Sequence, residues 1–231
     1  MPTITMTAVE ALGSLNDVER KHAPALLYLA GDLSLLKRGP RISVVGSRAA
    51  SAEGLARARL LVRALVARKI VVVSGLAAGI DTKAHASAIE AGGQTLAVLG
   101  TSLEESYPRE NAGLQSLIME KHLAVSQFAP GSQTQPANFP QRNRTMALIT
   151  DATIIVEAGE KSGTLHQGWE ALRLGRMLFL LESVANDPTL SWPAKMIHHG
   201  AQVLTRENLD AVIEEVPAVT SFRDEDLREI A

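Results

Sequence analysis

The chain has 231 residues, 46% of them hydrophobic and 21% charged, a balance that suits one globular domain with a short appendage and excludes a disordered chain. It has no cysteine, which excludes disulfides, thiolate catalysis and cysteine-ligated zinc and fits a reducing compartment. The formal net charge of −2 argues against a uniformly basic surface, the simplest way to attract a polyanion, because such affinity comes largely from Lys and Arg at phosphates.

The residues Met1 to Asn16 lack a basic start followed by an apolar run, and no later stretch approaches the roughly 18 apolar residues of a membrane span. The expectation is a cytoplasmic protein in which residues 1–23 form a short helical extension. Ile42-Ser-Val-Val-Gly46 is a β-branched run that stops at glycine. Ser51 then opens a segment with Leu55, Ala58, Leu61, Val62, Leu65 and Val66 at helical spacing. The pattern repeats in Ile70-Val-Val-Val-Ser74, which runs into Gly75-Leu-Ala-Ala-Gly79 and an alanine-rich helix from about Asp81 to the Gly92-Gly93 stop. Thr95 to Leu99 predicts a third strand, Asn111 to Lys121 a helix, Leu123 to Ser126 a weak strand, Gln141 to Ile149 a helix and Ala152 to Val156 a strand. Gly163 to Gly175 then reads as helix and Met177 to Leu181 as the last clear strand.

Strands that are apolar throughout, alternating with helices, indicate a parallel sheet covered on both faces. The predicted fold is α/β: a Rossmann-like, doubly wound, mostly parallel sheet with helices on both faces. Ligands of such sheets bind beyond the carboxyl ends of the strands, so the loops after Val45, Val73, Leu99 and Val156 are the places to look. Gln127 to Ala137 is too long for a plain connector and reads as a functional loop.

Charge is polarised along the chain. Nine basic residues and one acidic residue lie between Lys37 and Lys69, whereas Arg206 to Ala231 carries eight acidic and three basic residues. Arg57, Arg59, Arg63 and Arg68 read as a solvated helix face. Residues 206–231 read as an acidic helix or tail, frayed or partner-binding.

Gly46-Ser47-Arg48 joins a strand to a helix, so glycine admits close approach of a ligand, the free amides after Ser51 favour an anion, and Arg48 adds a bidentate phosphate contact. The alternative is a tight turn with a surface arginine. Neither the three-glycine dinucleotide pattern nor the phosphate loop with its lysine is present. Asp81 reads as a cap of its helix. A Ser74/His85/Asp81 hydrolase is disfavoured, since the sequence has no G-x-S-x-G elbow and puts two members on one helical turn. In Asn138-Phe-Pro-Gln-Arg-Asn-Arg144, Phe139 can stack on a base, Arg142 and Arg144 can hold phosphates, and Asn138 and Asn143 add amides. If both arginines are helical they lie about 200° apart, so one of them braces the fold or lies at the helix start. Ser162-Gly163-Thr164 opens another helix as an amide-rich anion site with Lys161 beside it. The histidines show no ligand spacing beyond a bare His198-His199 pair, so no metal or cofactor is expected.

Together, Val-Gly-Ser-Arg48, Ser-Gly-Leu-Ala-Ala-Gly-Ile-Asp81 with His85, Ala-Val-Leu-Gly100, Tyr107-Pro108 with Asn111, Asn-Phe-Pro-Gln-Arg-Asn-Arg144 and Val-Glu157 with Ser-Gly-Thr164 resemble the DNA-processing protein A (DprA/Smf) family in order and spacing. The resemblance runs from about Pro24 to about Leu204, which places a Rossmann-like core at 24–205. It implies an extended Rossmann-like fold, binding of single-stranded DNA without strong sequence preference, a homodimer, assistance to a RecA-type recombinase during natural transformation, and no enzymatic activity. On that resemblance Gly46, Ser47 and Arg48 line the DNA pocket, Gly75 supports close approach of the strand, 138–144 supply phosphate contacts and a stacking surface, and Ser162 and Gly163 form the opposite wall. Two positions depart from the family pattern: Ala78 stands where an arginine is frequent, and Glu182-Ser183 replaces a usual Pro-Gly. Glu182 would repel phosphate if it faced the pocket. The helical N-terminal and winged-helix C-terminal domains of many members are not expected here. Two other readings remain: a relative serving as an antitoxin or phage-defence component with a toxin or defence partner, and a nucleotide sensor or hydrolase of the wider superfamily. In the second, Gln167 occupies the place of the phosphoribohydrolase carboxylate.

Overall fold

The computed structural model describes residues 2–217. Its strands are β1 (Ile4–Thr7), β2 (Leu26–Gly31), β3 (Arg41–Gly46), β4 (Val71–Ser74), β5 (Thr95–Leu99), β6 (Leu123–Ser126), β7 (Ala152–Glu157), β8 (Met177–Leu181) and β9 (Gln202–Leu204). Its helices are α1 (Ala8–Leu12), α2 (Asp17–Arg20), α3 (Ala52–Ala67), α4 (Ile80–Glu90), α5 (Ala112–Lys121), α6 (Asn138–Ile149), α7 (Thr164–Arg173), α8 (Glu182–Ala185), α9 (Trp192–His198) and α10 (Leu209–Glu214). The strands form one sheet in the order β1-β2-β6-β5-β4-β3-β7-β8-β9. From β6 to β9 every pairing is parallel, and β2 joins β6, and β1 joins β2, antiparallel. This is the mostly parallel α/β sheet that the alternating elements predict. Among the described residues no helix is long and apolar enough to cross a membrane.

The sheet stands on strands buried on both faces. Along β3, Ile42 and Val44 pack with α3 and α4 residues such as Leu61, Val62, Ile80 and Ala84, while Val45 joins the opposite cluster with Met146 and Ile149 of α6. β7 repeats this, Ile154 and Val156 to one side and Ile155 to the other, as the two-residue period of a strand requires. Both faces being apolar, β3, β4 and β5 have no solvent side, which is why their sequences read as unbroken hydrophobic runs.

The N-terminal segment corrects the expectation of a helical extension. Residues 4–7 form an edge strand, with Ile4 opposite Leu29 and Thr7 opposite Leu26. Two short helices follow, each closed by a capping box: Thr7 with Glu10, and Asn16 with Glu19. Ala8, Ala11, Leu12 and Leu15 belong to the main core cluster, and the buried Glu19 carboxylate meets the Arg176 guanidinium at 2.5 Å. Residues 2–23 therefore continue the domain instead of preceding it, as do β9 and α10 at the other end. A four-residue strand carries too little periodicity to be read from sequence alone. Of the acidic 206–231 segment, α10 is described and residues 218–231 lie outside the described residues.

Two buried polar links fasten the sheet. At the amino ends of β3 and β7, the Arg41 backbone N–H donates to the Asp151 carboxylate at 2.6 Å and its guanidinium lies 3.4 Å from the other oxygen. Arg41, one of the nine basic residues counted in sequence, is thus spent inside the fold. The second link is His85 on α4, fully buried, whose Nδ1 meets the Thr95 hydroxyl at 2.7 Å while that hydroxyl donates to the Val72 carbonyl at 2.8 Å. Ser74 Oγ donates to the Val44 carbonyl and its hydroxyl also lies by the Asp81 carboxylate, while His85 Nδ1 is turned to Thr95, so the three are not set as a relay through the imidazole.

Burial pushes the His85 imidazole down to about 3. The folded value lies below the unfolded one, so this residue's contribution to stability is present above pH ~6.5 and is lost as pH falls toward 3. Urea unfolding between pH 6.5 and 4 is expected to show a slope steeper than that of His85→Gln by up to ~1.4 kcal/mol per pH unit; equal slopes would overturn the assignment.

Candidate functional site

The carboxyl ends of β3, β4, β5 and β7 open into one cleft of about 860 Å³. One wall is Gly46, Ser47 and Arg48; Lys161, Ser162, Gly163 and Thr164 also line it, as do Phe139, Arg142 and Asn143 of α6. Gly46 brings the wall close to the helix behind it, since a Cβ there would lie 2.5 Å from Ile80 Cγ1 and 2.8 Å from the Glu157 carbonyl. The walls are tied to one another. Thr164 Oγ1 donates to the Gly46 carbonyl at 3.0 Å, Asn143 Nδ2 donates to the Gly163 carbonyl at 3.2 Å, and the Ser47 N–H donates to the Glu157 carbonyl at 2.7 Å.

The two arginines of α6 have separate fates. Arg142 is 5% exposed, its Nη1 donating to the carbonyls of Gly75 and Val98, the latter at 2.9 Å, and its Nε to Asn143 Oδ1 at 2.9 Å. It clamps the ends of β4 and β5 to α6. Arg144 points away from the cleft and pairs with Glu170 of α7 at 3.2 Å. Gly75 and Asn138 also lie outside the cleft lining. Asn138 is the buried first residue of α6, and Gly75 is small because a Cβ would collide with the Arg142 guanidinium. Its smallness thus serves the clamp, which differs from the expected close approach of a strand.

The anion site expected at the start of α3 is already filled. The Glu157 carboxylate accepts from the Ser51 N–H at 2.9 Å and from Ser51 Oγ at 2.5 Å, with the Arg57 guanidinium 3.8 Å away. The last residue of β7 thereby supplies the negative charge that the helix start favours. The start of α7 is also met from within the chain: Gly163 stands at its N-cap, the Thr164 N–H donates to Ser162 Oγ at 3.2 Å, and the Leu165 and His166 N–H groups donate to the Ser162 and Gly163 carbonyls, with the exposed Lys161 beside them.

Electrostatically the cleft is one-sided. Asp81 is the one carboxylate among its lining residues, and it is buried, accepting from the Gly75 N–H at 3.1 Å. Burial pushes its carboxyl above the usual range, against the pull of the Arg142 charge. Glu182 lies elsewhere, on a second groove of about 470 Å³ with Arg57, Leu60, Leu204, Arg206 and Leu209, so it does not line the cleft. Gln167 is fully buried and reaches the Thr153 hydroxyl at 3.3 Å beneath α7.

Several lining residues escape the sequence reading: Tyr107, Thr134 to Pro136, and His166. The long 127–137 loop carried a signal for the second group, and Tyr107-Pro108 stood out only as part of a resemblance.

Residues 10–217 match the model of the family described as DNA recombination-mediator protein A. The chain belongs to that family. It is 40% identical over 183 residues to the DNA processing protein DprA of Streptococcus pneumoniae, covering 79% of this chain and 64% of that protein; the chain thus spans somewhat under two thirds of its relative's length. The X-ray structure of DprA from Streptococcus pneumoniae superposes with a TM-score of 0.79 at 34% identity, over 93% of this chain and 74% of that one. DNA processing protein A from Helicobacter pylori, solved to describe its single-stranded DNA binding mode, shares the fold with a TM-score of 0.78 at 24% identity, over 93% of this chain and 97% of that one.

In this chain the two helix-borne arginines should separate cleanly by stability. Arg142→Met leaves two strand-end carbonyls and Asn143 Oδ1 without their donor and is expected to cost ~3–5 kcal/mol. Arg144→Ala, losing a surface ion pair, should cost less than ~1 kcal/mol. Urea denaturation measures both, and equal costs would contradict the clamp.

Proposed function

We propose that the cleft holds the backbone of single-stranded DNA and that the protein acts, as a cytoplasmic homodimer, in recombination-related DNA processing, assisting a RecA-type recombinase. The observation that carries this reading is the charge distribution of the cleft. Arg48 and Lys161 are exposed along it, and the one lining carboxylate, Asp81, is buried. A polyanion therefore meets exposed cations without an exposed lining carboxylate. Arg48 supplies a forked donor, Lys161 a point charge and Asn143 a neutral amide. Family membership and the DNA-processing relatives support DNA as the polyanion. Open strand ends and aromatic side chains in the cleft favour unpaired nucleotides, whose bases are accessible.

Binding is the whole of the proposed chemistry. The carboxylate that a phosphoribohydrolase needs is replaced by Gln167, which lies buried against Thr153, and Glu157 is engaged at the α3 cap. Incubation with nucleoside monophosphates is expected to release no base; release of free base would sink the binding-only reading.

Fluorescence anisotropy with a labelled oligothymidylate is expected to show affinity falling with salt by about 0.7 decades per decade for each phosphate held. Arg48→Ala and Lys161→Ala should each weaken binding and lower that slope by roughly one phosphate's share. Salt-insensitive binding, or an Arg48→Ala protein that binds as tightly as the unchanged one, would refute DNA binding at this cleft.

A further inference from the structure

We propose that the base-contacting surface of the cleft is Tyr107, together with the outer face of the Arg48 guanidinium, and that Phe139 is the positioning residue that supports both. This rests on the DNA reading above and assigns the part of the nucleotide that phosphate contacts leave unread. Phe139 is the aromatic that the sequence offers for stacking, yet its ring is only half exposed and its neighbours are already in place. The Arg48 guanidinium carbon lies over the ring, 5.3 Å from its centroid. Tyr107 packs against it with centroids 5.1 Å apart and planes inclined by 47°. The ring edge meets the backbone of Gly100, where a Cβ would come within 2.7 Å of Phe139 Cδ1. A base cannot take the Arg48-covered face without displacing a cation–π contact.

Tyr107 is placed differently. It lines the same cleft and is 48% exposed, so part of its ring remains open on the side away from Phe139. Its loop is held from beneath by Asn111, whose Nδ2 donates to the Leu76 carbonyl and to the Thr82 hydroxyl, both at 2.8 Å. The result is a row of three π surfaces, Tyr107, Phe139 and Arg48, in which the two outer members are exposed and the middle one fixes their spacing. A tyrosine ring and a guanidinium plane each stack on any base, so the row contributes affinity without choosing a sequence.

The test compares oligothymidylate with an abasic strand of the same length, which presents the same phosphates and no bases. Tyr107→Ala is expected to weaken oligothymidylate binding about tenfold, the cost of one lost base stack, and to leave the abasic strand unaffected. Tyr107→Phe should restore oligothymidylate binding, because the ring and not the hydroxyl makes the contact. Phe139→Leu should weaken binding in the unchanged background and add little in the Tyr107→Ala background, the coupling expected of residues that act through one another. Equal losses on both strands, a Tyr107→Phe protein as weak as Tyr107→Ala, or additive losses for the Phe139 and Tyr107 variants would each overturn the assignment. If the unchanged protein binds neither strand, the DNA reading itself falls, a result distinct from all of these.

Discussion

One buried guanidinium sets the geometry on which the cleft depends. Arg142 lies where β4 and β5 end and α6 passes over them, and its donors reach the Gly75 and Val98 carbonyls and the Asn143 side chain. Strand-end carbonyls of a parallel sheet have no further ladder partner, and buried they are costly unless something donates to them. Arg142 satisfies two at once and carries its own counter-charge in Asp81 nearby. Through Asn143 the same residue reaches the Gly163 carbonyl, so the clamp extends from the centre of the sheet to the start of α7. A charged group has been placed inside the protein, and it works as scaffold for the surface above it.

That placement explains how a chain with a formal net charge of −2 presents a cationic cleft. The count of charges says little, because many are paired where they stand: Arg41 with Asp151, Arg176 with Glu19, Arg144 with Glu170, Arg68 with Asp210. What lines the cleft in exposed form is the remainder, Arg48 and Lys161. The two helix starts beside the cleft are both met from within the chain. At α3 the Glu157 carboxylate takes the place of an external anion, while at α7 the Ser162 side chain accepts from the Thr164 N–H.

Much of the central sheet was legible in the residues. Unbroken apolar runs at Ile42 to Val45, Ile70 to Val73 and Thr95 to Leu99, with helical spacing from Leu55 to Val66, leave a parallel sheet covered on both faces as the consistent arrangement. The edges were less legible. β1 and β9 are four and three residues long, and strands that short are recognised by their partners, not by their own pattern. For the same reason residues 1–23 read as an appendage until the pairing with β2 and the Glu19–Arg176 contact attach them to the domain.

The chain's sequence by itself determined which residue types stand at the strand ends: glycines after β3 and β4, a Ser-Gly-Thr helix start, two arginines on one helix at positions that cannot face the same way. Helical geometry alone required that Arg142 and Arg144 not face one phosphate, so that one of them brace the fold or lie at the helix start. Which one it is, that Glu157 already occupies the start of α3, that Glu182 faces a different groove, and that Tyr107 comes to Phe139 across the cleft were decided only by tertiary structure. The physical reason is that local pattern specifies the face of an element, whereas the partner that a buried charge or a ring finds on that face comes from residues dozens of positions away, brought near by the closing of the sheet.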